Sequence, residues 1–184
     1  MIARDGSSAL TMRALATEAG CATGLPYKVF DDRRALVAEI VHAELGRLSA
    51  TSDELTRRAG TGTIAGNLAW FADLVLDSPA VALHHELAAD DLLSNDVTAT
   101  VRSKGTGPQV FETGVAAYLA AEQSAGRVDG AVDTDAFGFA IGGALHNLVV
   151  SGGAWPRPTR RQLRRHLAAI TTTISKEGQH DHEN

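Results

Sequence analysis

Between Leu10 and Leu36 the sequence LTMRALATEAGCATGLPYKVFDDRRAL allows little besides two short helices, a tight turn and the start of a longer helix. Thr11 is a good N-cap, and Met12, Leu15, Ala16 and Ala19 recur at helical spacing to give one small apolar face. Gly20 stands where a helix exits through a left-handed residue. Cys21-Ala22-Thr23 turns the chain, and Gly24 to Phe30 has the length of roughly two helical turns. Asp31 or Asp32 then caps a third helix beginning Arg33-Arg34-Ala35-Leu36. Two short helices around a Gly-containing turn are the helix-turn-helix arrangement, whose second helix can lie in the major groove of DNA.

The rest of the chain continues in helices. From Asp32 to about Arg58, Leu36, Ile40, Val41, Leu45, Leu48 and Leu55 follow helical spacing, and Gly60 and Gly62 end that run. A helix over 63–77 turns Ile64, Leu68, Phe71, Leu74 and Val75 inward, and Ser78-Pro79 starts another that runs to about Ala89. Residues 90–105 carry Leu92, Leu93, Val97 and Val101 at helical intervals. Gly107-Pro108 opens a helix with Val110, Phe111, Val115, Tyr118 and Leu119, and Gly126 stops it. Asp133 caps a helix over 134–151 closed by Gly152-Gly153, Trp155-Pro156-Arg157-Pro158 is an extended link, and Thr159 caps the last helix. Four of the five prolines fall at helix starts or links, Pro26 being the exception. No stretch sustains the alternation of a strand, so the expected fold is all-α: a small head followed by a helical bundle. The expected division is a head over 1–35, a body over 36–178 and a flexible tail over 179–184.

Charge and composition narrow the function. The chain carries net charge −5, yet residues 1–35 hold five Lys/Arg against four Asp/Glu, a weak asymmetry whose sign fits a DNA-facing head on an acidic body. The single cysteine, Cys21, excludes an internal disulfide and a cysteine-based zinc site, which suits a cytoplasmic setting, and Cys21 itself reads as a small buried hydrophobe. The most apolar run, 138–150, is too short to span a bilayer, and MIARDGSS lacks the apolar core of a signal peptide. No phosphate-loop, dinucleotide or nucleophile motif occurs, so neither an enzyme nor a cofactor is expected. His84-His85, His146 and His180-Asp181-His182 are not completed into a metal set at helical spacing, and no metal is expected.

Over residues 10–36 the chain resembles the TetR/AcrR family of bacterial transcriptional regulators, through Leu10-Thr11, Ala14-Leu15-Ala16, Glu18-Ala19-Gly20, Gly24, Tyr27, Phe30, Arg33 and Leu36. The resemblance implies a three-helix DNA-binding head and an all-helical body that binds a small molecule and dimerises through its last two long helices. It also implies phosphate contacts from Thr11, Tyr27, Lys28 and Arg33, with Thr23, Gly24 and Leu25 near base edges and Arg13 reaching the backbone or groove. Three departures stand out. The family's first helix is absent apart from a last turn in Met1–Asp5, and Met1 occupies a position where the family usually has Leu. A misplaced start is therefore expected, with an amphipathic helix encoded in frame upstream. Ala22 stands where a capping Ser is common and Pro26 where Leu is usual, which predicts a recognition helix starting one residue late, capped by Thr23 with Pro26 at N3. Val29 replaces a frequent His or Tyr and removes a polar contact.

In the body, Trp70, Phe71, His84, Phe111, Tyr118, Phe137 and His146 are candidates for a ligand pocket between helices, the competing reading being plain core packing. Gly138, Ala140, Gly142, Gly143 and Ala144 give one helix a small-residue face. With Leu163, Leu167, Ile170 and Ile174 of the last helix, Gly138 and Gly142 form the candidate isologous dimer interface, internal packing being the alternative. The basic run Arg157, Arg160, Arg161, Arg164 and Arg165 reads as a solvated face. The expected function is a dimeric regulator, most simply a repressor released from operator DNA by a small apolar ligand. The alternative is a dimeric ligand-binding module that does not bind DNA as translated.

Overall fold

A computed structural model describes residues 9–79, 81, 83, 84, 87, 90–103, 107, 109–151 and 156–176. The helices bounded within them are α1 (Met12–Glu18), α2 (Pro26–Val29), α3 (Arg33–Arg57), α4 (Ile64–Leu76), α5 (Asp91–Ser103), α6 (Gln109–Ser124), α7 (Thr134–Val150) and α8 (Arg160–Thr172). Among the described residues the sole β pairing is a single bridge between Val128 and Ser175. The fold is all-α, as the periodicity predicts. Residues 79, 81, 83, 84 and 87 are also helical, while Gly152, Gly153, Trp155, His85 and the 179–184 tail lie outside the described residues.

Packing divides the chain into two units. One unit takes the residues up to Gly46 together with Asp77–Gly107, and the other takes Arg47–Leu76 with the residues from Pro108 on. In the first, Leu10, Met12, Leu36, Val37, Val41, Leu83, Leu93 and Val97 form a buried core, with Phe30 packed against it. In the second, Leu55, Leu68, Phe71, Val115, Tyr118, Leu119, Leu145 and Leu167 belong to a larger core.

Most helix ends follow from local chemistry. The Thr11 hydroxyl accepts from the Ala14 amide at 3.1 Å. Gly20, at φ 62°, closes α1: the Cys21 amide reaches back to the Ala16 carbonyl and the Gly20 amide to that of Thr17. Asp32, not Asp31, caps α3 by accepting from the Ala35 amide at 2.9 Å. Asp90 accepts from the Leu92 and Leu93 amides, both at 3.1 Å, and so starts α5. Its second oxygen takes Arg34 of α3 at 2.8 Å. The Leu93 amide, with Arg34 also contributing, holds the Asp90 carboxyl below its ordinary value. Ser78 stands just before the helical residue 79, its carbonyl accepting from the Val81 amide while its hydroxyl donates to Glu44 at 2.8 Å.

The start of α2 corrects the sequence reading. The helix is a single turn, Pro26–Val29, with Leu25 at the N-cap and no side-chain capping bond, so Thr23 is not the cap. Pro26 sits at N1 rather than N3, where its ring presets φ and its missing N–H would have had no intrahelical partner. Residues 22–25 make a turn instead, the Leu25 amide donating to the Ala22 carbonyl at 2.8 Å. Pro26 thus stands at a helix start, as Pro79 does.

At the other end of the chain, Thr159 forms a reciprocal capping box with Gln162, a T-x-x-Q signal that was present in the sequence. Thr159→Ala should lower stability by about 1 kcal/mol, measured from the denaturant midpoint. An unchanged midpoint would mean that the box adds nothing to α8.

Candidate functional site

In the head, Pro26 of α2 and Phe30 at its C-cap anchor the helix, and the residues between them face outward. Pro26 is buried and Phe30 half-buried, four positions apart on one side. Leu25 is 48% exposed, Tyr27 63% and Val29 66%, and Lys28 is exposed beside them. Thr11, Arg13, Thr23, Gly24 and Arg33 are exposed too, so all eight sequence candidates for DNA contact lie on the surface of this unit. Gly24 has neither a positive φ nor a neighbour within 4 Å of an added Cβ, so nothing inside the chain requires glycine there.

Arg33 also has an internal task, since its Nε donates to the Leu10 carbonyl at 2.8 Å. That bond ties the segment before α1 to the first turn of α3. Thr11 uses its oxygen as a cap acceptor, and its hydroxyl proton can still be donated outward. Cys21 is a free, half-buried thiol in the turn rather than a fully buried one.

In the larger unit the pocket candidates divide by environment. Phe71 and Tyr118 are fully buried, at 0% exposure, and Phe111 is nearly so. Trp70 is half-buried under the Arg58 guanidinium, 3.8 Å from the ring centroid. Phe111 stacks with His146 at 6.1 Å between ring centroids. His84 belongs to the other unit.

Tyr118 leads to a buried polar network that sequence reasoning missed. Its hydroxyl donates to Glu122 Oε1 at 2.6 Å and accepts from Asn67 Nδ2 at 3.1 Å. Asn67 Nδ2 also reaches the Thr61 carbonyl at 2.9 Å. Glu122, 0% exposed, takes the Gly60 amide at 3.0 Å and the Arg127 guanidinium at 3.3 Å through Oε2. Arg127 in turn donates to the Gly62 carbonyl at 2.7 Å. The network holds the loop in which Gly60 and Gly62 adopt positive φ. Burial, reinforced by Glu122, pushes the Tyr118 hydroxyl well above the ordinary tyrosine range, so it stays a donor. The one visible signal was the i, i+4 spacing of Tyr118 and Glu122.

Gly138 and Gly142 are buried against α6 of the same chain, not presented on an outer face. A Cβ at 138 would meet the Ala116 Cβ at 2.6 Å, and one at 142 the Glu112 backbone nitrogen at 2.5 Å. For these two glycines the structure therefore favours the internal-packing alternative. Leu163, Leu167 and Ile170 instead line an apolar cleft of about 460 Å³ with Phe137, Ala140, Ala144 and Leu148 between α7 and α8. Ile174 is 2% exposed within the core. Arg160 and Arg164 of the basic run both bind Asp73 of α4, so this face is partly paired rather than merely solvated. Among the described residues, no three His, Cys, Asp or Glu side chains group into a metal set, and no helix is long and apolar enough to cross a membrane.

Comparison with known proteins gives the fold. No protein-family profile matches the chain, and no curated protein sequence matches it. Solved structures do. A protein from Mesorhizobium loti MAFF303099 named as a TetR-family transcriptional regulator aligns at TM-score 0.59 and 17% identity, covering 94% of this chain and 88% of its own. One from a Rhodococcus species, named likewise, aligns at TM-score 0.55 and 16% identity over 94% of this chain and 91% of its own. Salmonella enterica GusR aligns at 0.55 and 17% identity over 92% and 88%. The chain has the fold of these structures.

Proposed function

We propose that this chain, which has the fold seen in TetR-family transcriptional regulators, is a DNA-binding regulator that works as a homodimer on a near-palindromic operator. The observation that carries the reading is the outward run from Thr23 to Val29, buried only at Pro26, with the exposed cations Arg13 and Lys28 nearby. Cations and hydroxyls fix a protein on phosphates, and an exposed helix face reads the groove. The apolar cleft between α7 and α8 supports a second copy of the chain on that face, with Ile170, 36% exposed, offering the contact while Leu163 and Leu167 stay in the core. Repression relieved by a small apolar effector completes the reading. It draws on the half-buried Trp70, Phe137 and His146 of the body as candidate effector contacts. Access to DNA implies a cytoplasmic setting.

Binding to duplex DNA from the chain's own promoter region should weaken steeply with salt. Lys28→Ala should lower affinity for all sequences alike and reduce the slope of log K against log salt by about one. Tyr27→Ala should weaken binding without altering sequence preference. Fluorescence anisotropy across a salt series measures both. Affinity and slope left unchanged in Lys28→Ala would remove Lys28 from the phosphate contacts, and no salt-sensitive binding by the parent chain would overturn the reading itself.

A further inference from the structure

We infer that Leu25 and Val29 read thymine methyl groups, so that this chain selects its DNA sites largely by apolar contact; the inference rests on the DNA-binding reading above. The two side chains stand four residues apart, on one side of the single-turn α2, and are 48% and 66% exposed. Pro26 and Phe30, at the same interval one position on, carry the anchoring side, so the exposure of Leu25 and Val29 is set by how α2 is seated.

From Ala22 to Val29 the sequence ATGLPYKV contains no Arg, Asn, Gln, Asp or Glu. The hydrogen bonds that single out guanine or adenine come from Arg, Lys, Asn or Gln, and of these the run holds Lys28 alone, the residue assigned above to phosphate. What a Leu and a Val can recognise in the major groove is the C5 methyl of thymine. Four helical residues advance on the order of 6 Å, about two base-pair steps of 3.4 Å, so both methyls would fall within one short stretch.

Charge favours DNA over an apolar protein surface as the occupant. From Thr11 to Phe30 the charged residues are Arg13, Glu18 and Lys28, a positive balance in a chain of net −5. Docking on an apolar protein face would strip water from Lys28, whereas on DNA that cation lies near phosphates.

The test selects duplexes from a random pool with the full chain. Each thymine of the selected half-site is then replaced by uracil, which removes only the methyl group. Two thymines within about two base-pair steps should each cost roughly fourfold in affinity when replaced, the value of burying one methyl group. Leu25→Ala should abolish that cost at one position and Val29→Ala at the other. Both residues are exposed, and the uracil effect on the parent chain needs no variant at all. Duplexes selected and bound with salt-sensitive affinity but indifferent to uracil would overturn this inference and leave the DNA-binding reading standing. A pool from which nothing is selected would overturn both.

Discussion

Replacing Gly142 by alanine should destabilise the chain by about 3 kcal/mol, although helix propensity alone argues the opposite sign. Alanine in a helix interior is favoured over glycine by about 1 kcal/mol, so an open position would gain. At 142 the new Cβ would lie 2.5 Å from the Glu112 nitrogen, 2.6 Å from its Cα and 2.7 Å from the Phe111 carbonyl carbon. These are backbone atoms of α6, which cannot rotate away as a side chain would. Relief requires α6 and α7 to separate, with loss of contact along the seam they share. For a chain of this size the melting temperature should fall by roughly 6–12 °C. Gly143 supplies the control, because its added Cβ would meet nothing within 4 Å. Gly143→Ala should be neutral or slightly stabilising. Equal melting temperatures for the two variants would show that the seam is looser than the distances imply.

The second large effect is expected at Glu122. Glu122→Ala removes one fully buried carboxylate and strands three groups, namely the Tyr118 hydroxyl, the Gly60 amide and the Arg127 guanidinium. Breaking a buried ion pair from one side costs about 3–5 kcal/mol, because the partner charge is left uncompensated. Arg127 is itself partly exposed and can turn toward water, which places this site at the lower end. Glu122→Gln keeps an acceptor for Tyr118 and should lose about half as much. Denaturant midpoints of the two variants measure the difference. If Ala and Gln are equally damaging, the charge on Glu122 matters more than its hydrogen bonds; if neither is, the network does not hold the Gly60–Gly62 loop.

What the sequence revealed depended on whether the deciding interaction was local. Thr11, Gly20, Asp133 and Thr159 act within a few residues of themselves, so their caps and stops were readable from spacing. The inward faces of α4 and α6 were readable for the same reason, since Leu68, Phe71, Val115 and Tyr118 repeat at the helical period. The start of α2 was harder, because Ala22, Thr23 and Leu25 compete for the cap and the ring of Pro26 decides between them. Gly138 and Gly142 declared a close approach without naming the neighbour. Glu122 reads as one more solvent-facing helix charge, and its burial arises only where α4, α6 and the Gly60 loop converge. The surface of the head was legible residue by residue. The double duty of Arg33 was not, because Leu10 lies 23 positions away.

The brevity of α2 has a consequence in time as well as in space. One turn of helix is far below the length at which hydrogen bonding alone keeps a helix formed. Its order is therefore imposed by Pro26 at its start and by Phe30 against the core, while the side chains between them face solvent. Such a segment opens locally at a small fraction of the global unfolding free energy. If α2 enters a groove, part of the association free energy goes into suppressing that opening, and tighter anchoring at Phe30 would strengthen binding without adding a single contact to DNA.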